Sequence, residues 1–225
     1  MFYRNLKSNL PRTIGSLTAA GMVLAGVAVT SAFALSSPQA VAAGSITPPP
    51  MPPGLAPVPA GNNLFLGTHA VGTQNYVCKP SGAGVAYVLF TPQATLFGED
   101  GGQVITHYNS PNPFEPNTDP KVVAPEGTIR ATWQYRDTSK VWAKVHQPNG
   151  AITVDTKAIA WLLLDGVGSQ NGPTGGDKLT GTTFVQRLNT TGGLAPSTGC
   201  SSLTDVGNTA FVPYTADYFF YKKAD

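Results

Sequence analysis

Thr128-Ile129-Arg130-Ala131-Thr132-Trp133-Gln134-Tyr135-Arg136-Asp137-Thr138-Ser139-Lys140-Val141-Trp142-Ala143-Lys144-Val145-His146-Gln147 is the stretch from which the fold class is read. Ile129, Ala131, Trp133 and Tyr135 alternate with Thr128, Arg130, Thr132 and Gln134. That is the period of a β-strand, whose successive side chains point to opposite faces. Asp137-Thr138-Ser139 supplies turn formers, and Val141, Ala143 and Val145 resume the alternation. The stretch predicts an antiparallel hairpin with one face on a core and one in water. Pro148-Asn149-Gly150 then turns the chain into Ala151 to Thr156, a predicted third strand.

The same kind of pattern runs outward in both directions. Leu64 to Ala70 and Thr73 to Cys78 read as paired strands around a turn at Gly72. Ala83 to Thr91 is an apolar run of β-formers between turn signals and reads as a buried strand. Ala94 to Phe97 ends at the turn Gly98-Glu99-Asp100-Gly101-Gly102, and Gln103 to Tyr108 follows as another strand. Residues 109–120 hold four prolines and three asparagines and read as a surface loop. Beyond the hairpin, Ile159 to Leu164 is apolar throughout, which implies burial on both sides, and residues 165–181 read as a Gly-rich loop. Thr182 to Thr190 and Phe211 to Tyr221 complete the strands. On the former, Phe184 and Val185 point inward, or Val185 and Leu188 if the pleat is interrupted. No helix longer than two turns and no internal repeat is predicted. The expectation is an all-β fold: a single-domain antiparallel β-sandwich or barrel-like domain over residues 62–225, with long loops and one disulfide.

Two segments precede that domain. Arg4, Lys7 and Arg12 form a positive start, Ile14 to Leu35 is apolar or small without a charge, and Ala40-Val41-Ala42 is a small-x-small site. This is the pattern of a secretory signal peptide over residues 1–43, and it predicts a secreted or periplasmic protein. Read as an anchor, the same run is long enough to span a bilayer. Residues 44–61 carry seven prolines between Pro48 and Pro59 and read as a Pro-rich linker. Without residues 1–43 the chain has 11 Lys+Arg, 14 less the three above, against 12 Asp+Glu. With no basic patch left, nucleic acid is not an expected partner, nor is stable membrane insertion after cleavage. Cys78 and Cys200 are the two cysteines. In an oxidising compartment they predict one disulfide; the alternative is two free thiols acting as metal ligands or nucleophiles.

Chemistry-bearing residues are sparse. His69, His107 and His146 lie on or beside predicted strands that could gather them around a metal, but no His-x-His or His-x₃-His spacing supports this. Glu99, Asp100, Asp165 and Asp177 could pair as the two carboxylates of a glycoside hydrolase, yet all sit in turns where acids are ordinary. There is no Gly-x-Ser-x-Gly elbow for serine hydrolysis. The densest polar cluster is Arg187, Thr191, Gly192, Gly193, Tyr214 and Asp217. It offers a planar donor fork, an acceptor, and glycines that let backbone N–H groups approach a ligand. The competing reading pairs Arg187 with Asp217 across adjacent strands and gives the glycines a turn.

Several motifs then fit together: Thr73-Gln74-Asn75-Tyr76-Val77-Cys78, Ala160-Trp161-Leu162-Leu163-Leu164, Gln186-Arg187-Leu188-Asn189-Thr190-Thr191-Gly192-Gly193-Leu194-Ala195-Pro196 with Cys200, and Pro213-Tyr214-Thr215-Ala216-Asp217-Tyr218-Phe219-Phe220-Tyr221. In this order they resemble the DUF3455 family, secreted bacterial and fungal domains of unknown function, over Leu64 to Tyr221. Some members carry a malate dehydrogenase label. A nicotinamide enzyme needs a Gly-rich turn between strand and helix, and the nearest string, Gly82-Ala83-Gly84, lacks the third glycine and the helix. No cofactor is expected. The leading functional expectation is a domain that binds a small molecule or cell-surface component, with Trp133, Tyr135, Trp142, Tyr214 and Tyr218 as contacts. The alternatives are an extracellular hydrolase using loop carboxylates and a purely structural envelope protein.

Overall fold

The computed structural model describes residues 46–117 and 127–225. Nine strands run in chain order: β1 (Asn62–Ser81), β2 (Gly84–Phe97), β3 (Gln103–Asn112), β4 (Thr128–Tyr135), β5 (Lys140–Val145), β6 (Ala151–Ile152), β7 (Trp161–Gln170), β8 (Thr182–Gly192) and β9 (Thr209–Lys223). All pairings are antiparallel, β1 pairs with β9, and β5 pairs with β7. The ring β1-β2-β3-β4-β5-β7-β8-β9 therefore closes into an eight-stranded barrel. Of the two expected architectures the barrel is the one formed, because β5–β7 and β1–β9 leave no break at which a sheet could divide in two.

β6 prolongs the row of β5. β5 covers Leu164 to Gln170 of β7, and β6 covers Trp161 and Leu162. Between them the chain leaves the wall, although His146 still donates to Leu163 O and Leu163 to Gly150 O. The predicted third strand thus shrinks to two residues, since only these find a free edge on β7.

Further sequence expectations change in the structure: the surface loop predicted from residue 109 starts later, because Asn109 to Asn112 belong to β3. Gly72 makes no turn; it lies mid-strand in β1, where a Cβ would run into the backbone of Gln93 and Ala94 on β2. Glycine there serves close approach of two strands rather than reversal. Gly166 and Gly168 likewise do not end β7. A Cβ at Gly168 would meet the side chains of Asn112 and Phe114, so this glycine makes room for the chain that crosses over the wall after β3. Ala83 to Thr91 is not buried: it falls in β2, and Val88, Leu89 and Phe90 are exposed where the β1–β2 hairpin projects beyond the pairing with β3.

Two apolar clusters follow from the alternation. Inside the barrel lie Leu96, Ile105, Trp133, Val141, Leu164, Val185, Ala216, Tyr218 and Phe220, joined by Leu179 from the β7–β8 loop. Outside it, Leu163, Leu188, Phe219 and Tyr221 form a second cluster. Ile46, Met51, Leu55, Ala56 and Val58 of the Pro-rich segment pack on that cluster. Prolines donate no backbone hydrogen bond, so the segment is attached mainly through side chains. It adds the Ala56 N–H to Asn149 O and the Ile46 N–H to the Glu99 carboxylate. Burial on both sides of Leu162-Leu163-Leu164, expected from sequence, has this cause: core on one face and the Pro-rich segment on the other.

Cys78 and Cys200 form the disulfide, 122 residues apart in sequence, with Cα atoms 5.5 Å apart. It holds the segment after β8 to the β1–β2 hairpin. The Cys78 N–H to Asn208 O, Gly207 N–H to Cys78 O and Tyr87 hydroxyl to Gly199 O bonds reinforce it.

Candidate functional site

The barrel interior is packed toward one end by Leu96, Ile105, Val185 and Phe220. Toward the other it holds a cavity of about 250 Å³, lined by Gln74, His107, Asn109, Ala131, Trp133, Ala143, Val145, Leu162, Leu164, Arg187 and Tyr218. Leu89 and Ile129, both exposed, stand at its mouth with Pro92, Arg130 and Lys144.

Each polar lining residue is placed by strand alternation. On β8, Val185 is in the core, so Arg187, two positions on, points the same way, while Gln186 and Leu188 face out toward the Pro-rich segment. Arg187 donates from Nε and Nη2 to the carbonyl of Ala160 at 3.1 and 2.9 Å. It makes no ion pair among the described residues, and no carboxylate lines the cavity. On β1, Thr68, Ala70 and Gly72 lead by twos to Gln74. Gln74 is 2 % exposed; its Nε2 approaches the Tyr214 hydroxyl without a hydrogen bond of good geometry and has no other partner. On β4, Trp133 is 1 % exposed and its Nε1–H also has no partner.

His107 lies across from Trp133 on the neighbouring strand and stacks on it, ring centroids 4.3 Å apart and planes within 8°. Its Nδ1 is 2.9 Å from Thr132 O. A carbonyl only accepts, so Nδ1 carries the proton and Nε2 is a lone-pair acceptor. Burial pushes the His107 pKa down to about 3, against the pull of that hydrogen bond, and the nearby Arg187 charge adds to the depression. Tyr214 and Tyr218 hydroxyls are 3.4 Å apart, and burial raises the pKa of both. The imidazole is thus neutral and the phenols protonated at neutral pH. Among the described residues, the one full charge of the inner wall is Arg187, whose field reaches Tyr76, His107, Tyr214 and Tyr218.

The sequence-predicted cluster is divided by the wall. Arg187 and Tyr214 face inward. Asp217 faces outward, accepting from His69 Nδ1 at 2.7 Å and Asn189 Nδ2 at 2.8 Å. In the register Arg187 lies opposite Tyr218 and Leu188 opposite Asp217, so Arg187 and Asp217 do not pair. The Thr191 hydroxyl bonds that of Thr215 on the exposed side. Gly192 and Gly193 have φ of 60° and 81°, in the left-handed region that favours glycine, where β8 ends. The Gly193 N–H is taken by Pro213 O, and its carbonyl accepts from the Tyr76 hydroxyl at 2.6 Å.

The three histidines do not meet. His69 is outside with Asp217, His107 inside, and His146 outside with Asp165 at 2.7 Å. No group of three or more His, Cys, Asp or Glu side chains able to hold a metal occurs among the described residues. Glu99 accepts from Ile46, Asp100 from the Gly102 N–H, and Asp165 pairs with His146. Of the five aromatics expected as contacts, Trp133, Tyr214 and Tyr218 are interior and Tyr135 packs against the core. Trp142 is outside, donating to Ser110 Oγ at 2.9 Å under the edge of Phe114. Gln74 is the lining residue that sequence reasoning did not single out. The signal was present, since Thr68, Ala70, Gly72 and Gln74 share one face of a strand, but a turn placed at Gly72 erased it.

A family model described as protein of unknown function (DUF3455) matches residues 59–222. No curated protein and no solved structure matches the chain.

Proposed function

Because the chain belongs to the DUF3455 family, proteins of unknown function that share this domain, we propose that it is an extracytoplasmic binding protein whose barrel holds a small organic molecule. The observation that carries this reading is a pair of buried donors left without partners, Gln74 Nε2 and Trp133 Nε1–H, on the wall of an open-mouthed cavity. Leaving such a donor unsatisfied costs about 1–3 kcal/mol. An interior that served only as a core would hold apolar side chains at both positions. A site keeps its donors for a ligand, and mostly apolar walls with a few convergent polar groups are the composition of small-molecule pockets. The volume is below the usual range for drug-sized ligands, which sets the scale of the occupant.

Export is part of the proposal. A 122-residue disulfide loop fits an oxidising compartment, and so do the basic start and apolar run of residues 1–43.

The test is a fragment screen by thermal shift and Trp fluorescence on the domain from residue 44. Several small organics should raise its melting temperature and perturb Trp133. The same compounds should lose their effect on Ala131→Phe, which fills the cavity, provided that variant still melts cooperatively. Binding that is unchanged in the filled variant would place the ligand elsewhere and overturn the reading.

A further inference from the structure

We infer that the cavity is a carboxylate site: its ligand is a small organic acid whose carboxylate docks on Arg187, Gln74 Nε2 and Trp133 Nε1–H. This rests on the reading of the cavity as a ligand site and adds the charge of the ligand.

The two buried lining atoms that lack partners, Gln74 Nε2 and Trp133 Nε1, are both donors. A guanidinium has five N–H groups in a planar fork, and Ala160 O accepts from two of its nitrogens, Nε and Nη2. The Tyr218 hydroxyl is also within reach of the guanidinium, and the donors still left belong to a cation with no carboxylate beside it among the described residues. Gln74 Nε2 and Trp133 Nε1–H add two neutral donors that are buried and unpaired. A ligand bearing only donors would face like groups there, whereas an acceptor-rich anion satisfies all three. Carboxylates fit a planar fork with two parallel bonds, which a neutral carbonyl cannot repeat.

Charge points the same way: among the described residues the cavity wall supplies no acid. His107 is held neutral by burial, so it does not repel Arg187. The barrel wall around Arg187 is apolar on the side of Leu162 and Leu164, where a charge–charge contact is worth more than in water. A volume of about 250 Å³ is that of roughly eight waters in the liquid. This admits a short or single-ring acid and excludes a long acyl chain.

The test compares matched pairs: benzoate with benzamide, hexanoate with hexanamide, and succinate with succinamide. Each is titrated by calorimetry and by Trp fluorescence into the domain from residue 44, Arg187→Gln, Arg187→Lys and Gln74→Leu. At least one acid should bind tenfold or more tightly than its amide. Arg187→Gln should remove that preference, Arg187→Lys should restore part of it, and Gln74→Leu should weaken the acid several-fold. Gln74→Leu removes only the poorly aligned contact with the Tyr214 hydroxyl in the free protein, so it remains informative even if Arg187→Gln fails to fold. Amides that bind as well as acids would leave the cavity a ligand site and overturn the carboxylate assignment. If none of the six compounds perturbs Trp133, both readings fall.

Discussion

Two side chains in the cavity make their own predictions. Gln74 Nε2 is buried with only a poorly aligned contact to the Tyr214 hydroxyl to lose, so Gln74→Leu should leave the free protein as stable or raise its stability by about 1 kcal/mol, read from the urea midpoint. A drop of comparable size would mean that Gln74 is satisfied in solution. For His107 the folded pKa, about 3, is below the ordinary 6.5, so the unfolded chain binds the extra proton first. The stability owed to the neutral imidazole is whole above pH 6.5 and is lost as pH falls toward 3. The slope approaches about 1.4 kcal/mol per pH unit. Between about pH 6.5 and 5.5, above most of the carboxylate titration range, His107→Phe should flatten the pH dependence of unfolding. An equal slope in the variant would assign it to other groups. At this scale Arg187 was visible in the sequence as a distinctive residue, but its partner was not. Arg187 and Asp217 lie one register step apart, and that step decides which side of a wall each occupies.

At the scale of elements, β4 and β5 were legible almost to the residue. Their outer positions are polar enough that alternation shows which face is wet. β8 and β9 were legible as strands but not as faces. Phe219 and Phe220 are both fully buried, one outside and one inside, and with apolar groups on both sides the period-two signal disappears. The cause is the Pro-rich segment, whose Leu55 is 6 % exposed against Leu163, Leu188 and Phe219. Leu55→Ala should cost about 2–3 kcal/mol by urea unfolding, at the lower end for buried leucine because the site is peripheral. Removing residues 44–58 should cost more than that single change and increase binding of an apolar dye. An unchanged midpoint in both would show the segment to be a spectator.

For the whole molecule, closure is the property that sequence withheld. Strand number and antiparallel order were apparent, but whether β5 meets β7 depends on cumulative twist and stagger, which no local pattern encodes. The disulfide was legible because only one pairing of two cysteines exists. It closes a 122-residue loop, and the chain-entropy estimate for that length is roughly 4–5 kcal/mol as an upper figure. Cys78→Ser with Cys200→Ser should lower the urea midpoint by up to that amount without altering far-UV circular dichroism. Mass spectrometry of the unreduced protein should show a linked Cys78–Cys200 peptide, and two freely alkylated thiols would refute it.

The seam between β1 and β9 also has a consequence in time. His69 faces Asp217 across it, 148 residues away in the chain. Until β9 has been delivered, the ring lacks its last stave, and β1 has an open edge along nearly its full length. Contacts between such distant segments form slowly. The barrel is therefore committed late and as a whole. On the proposed export route, a chain threaded through a narrow channel N-terminus first would stay unlocked during the passage and set only when β9 emerges.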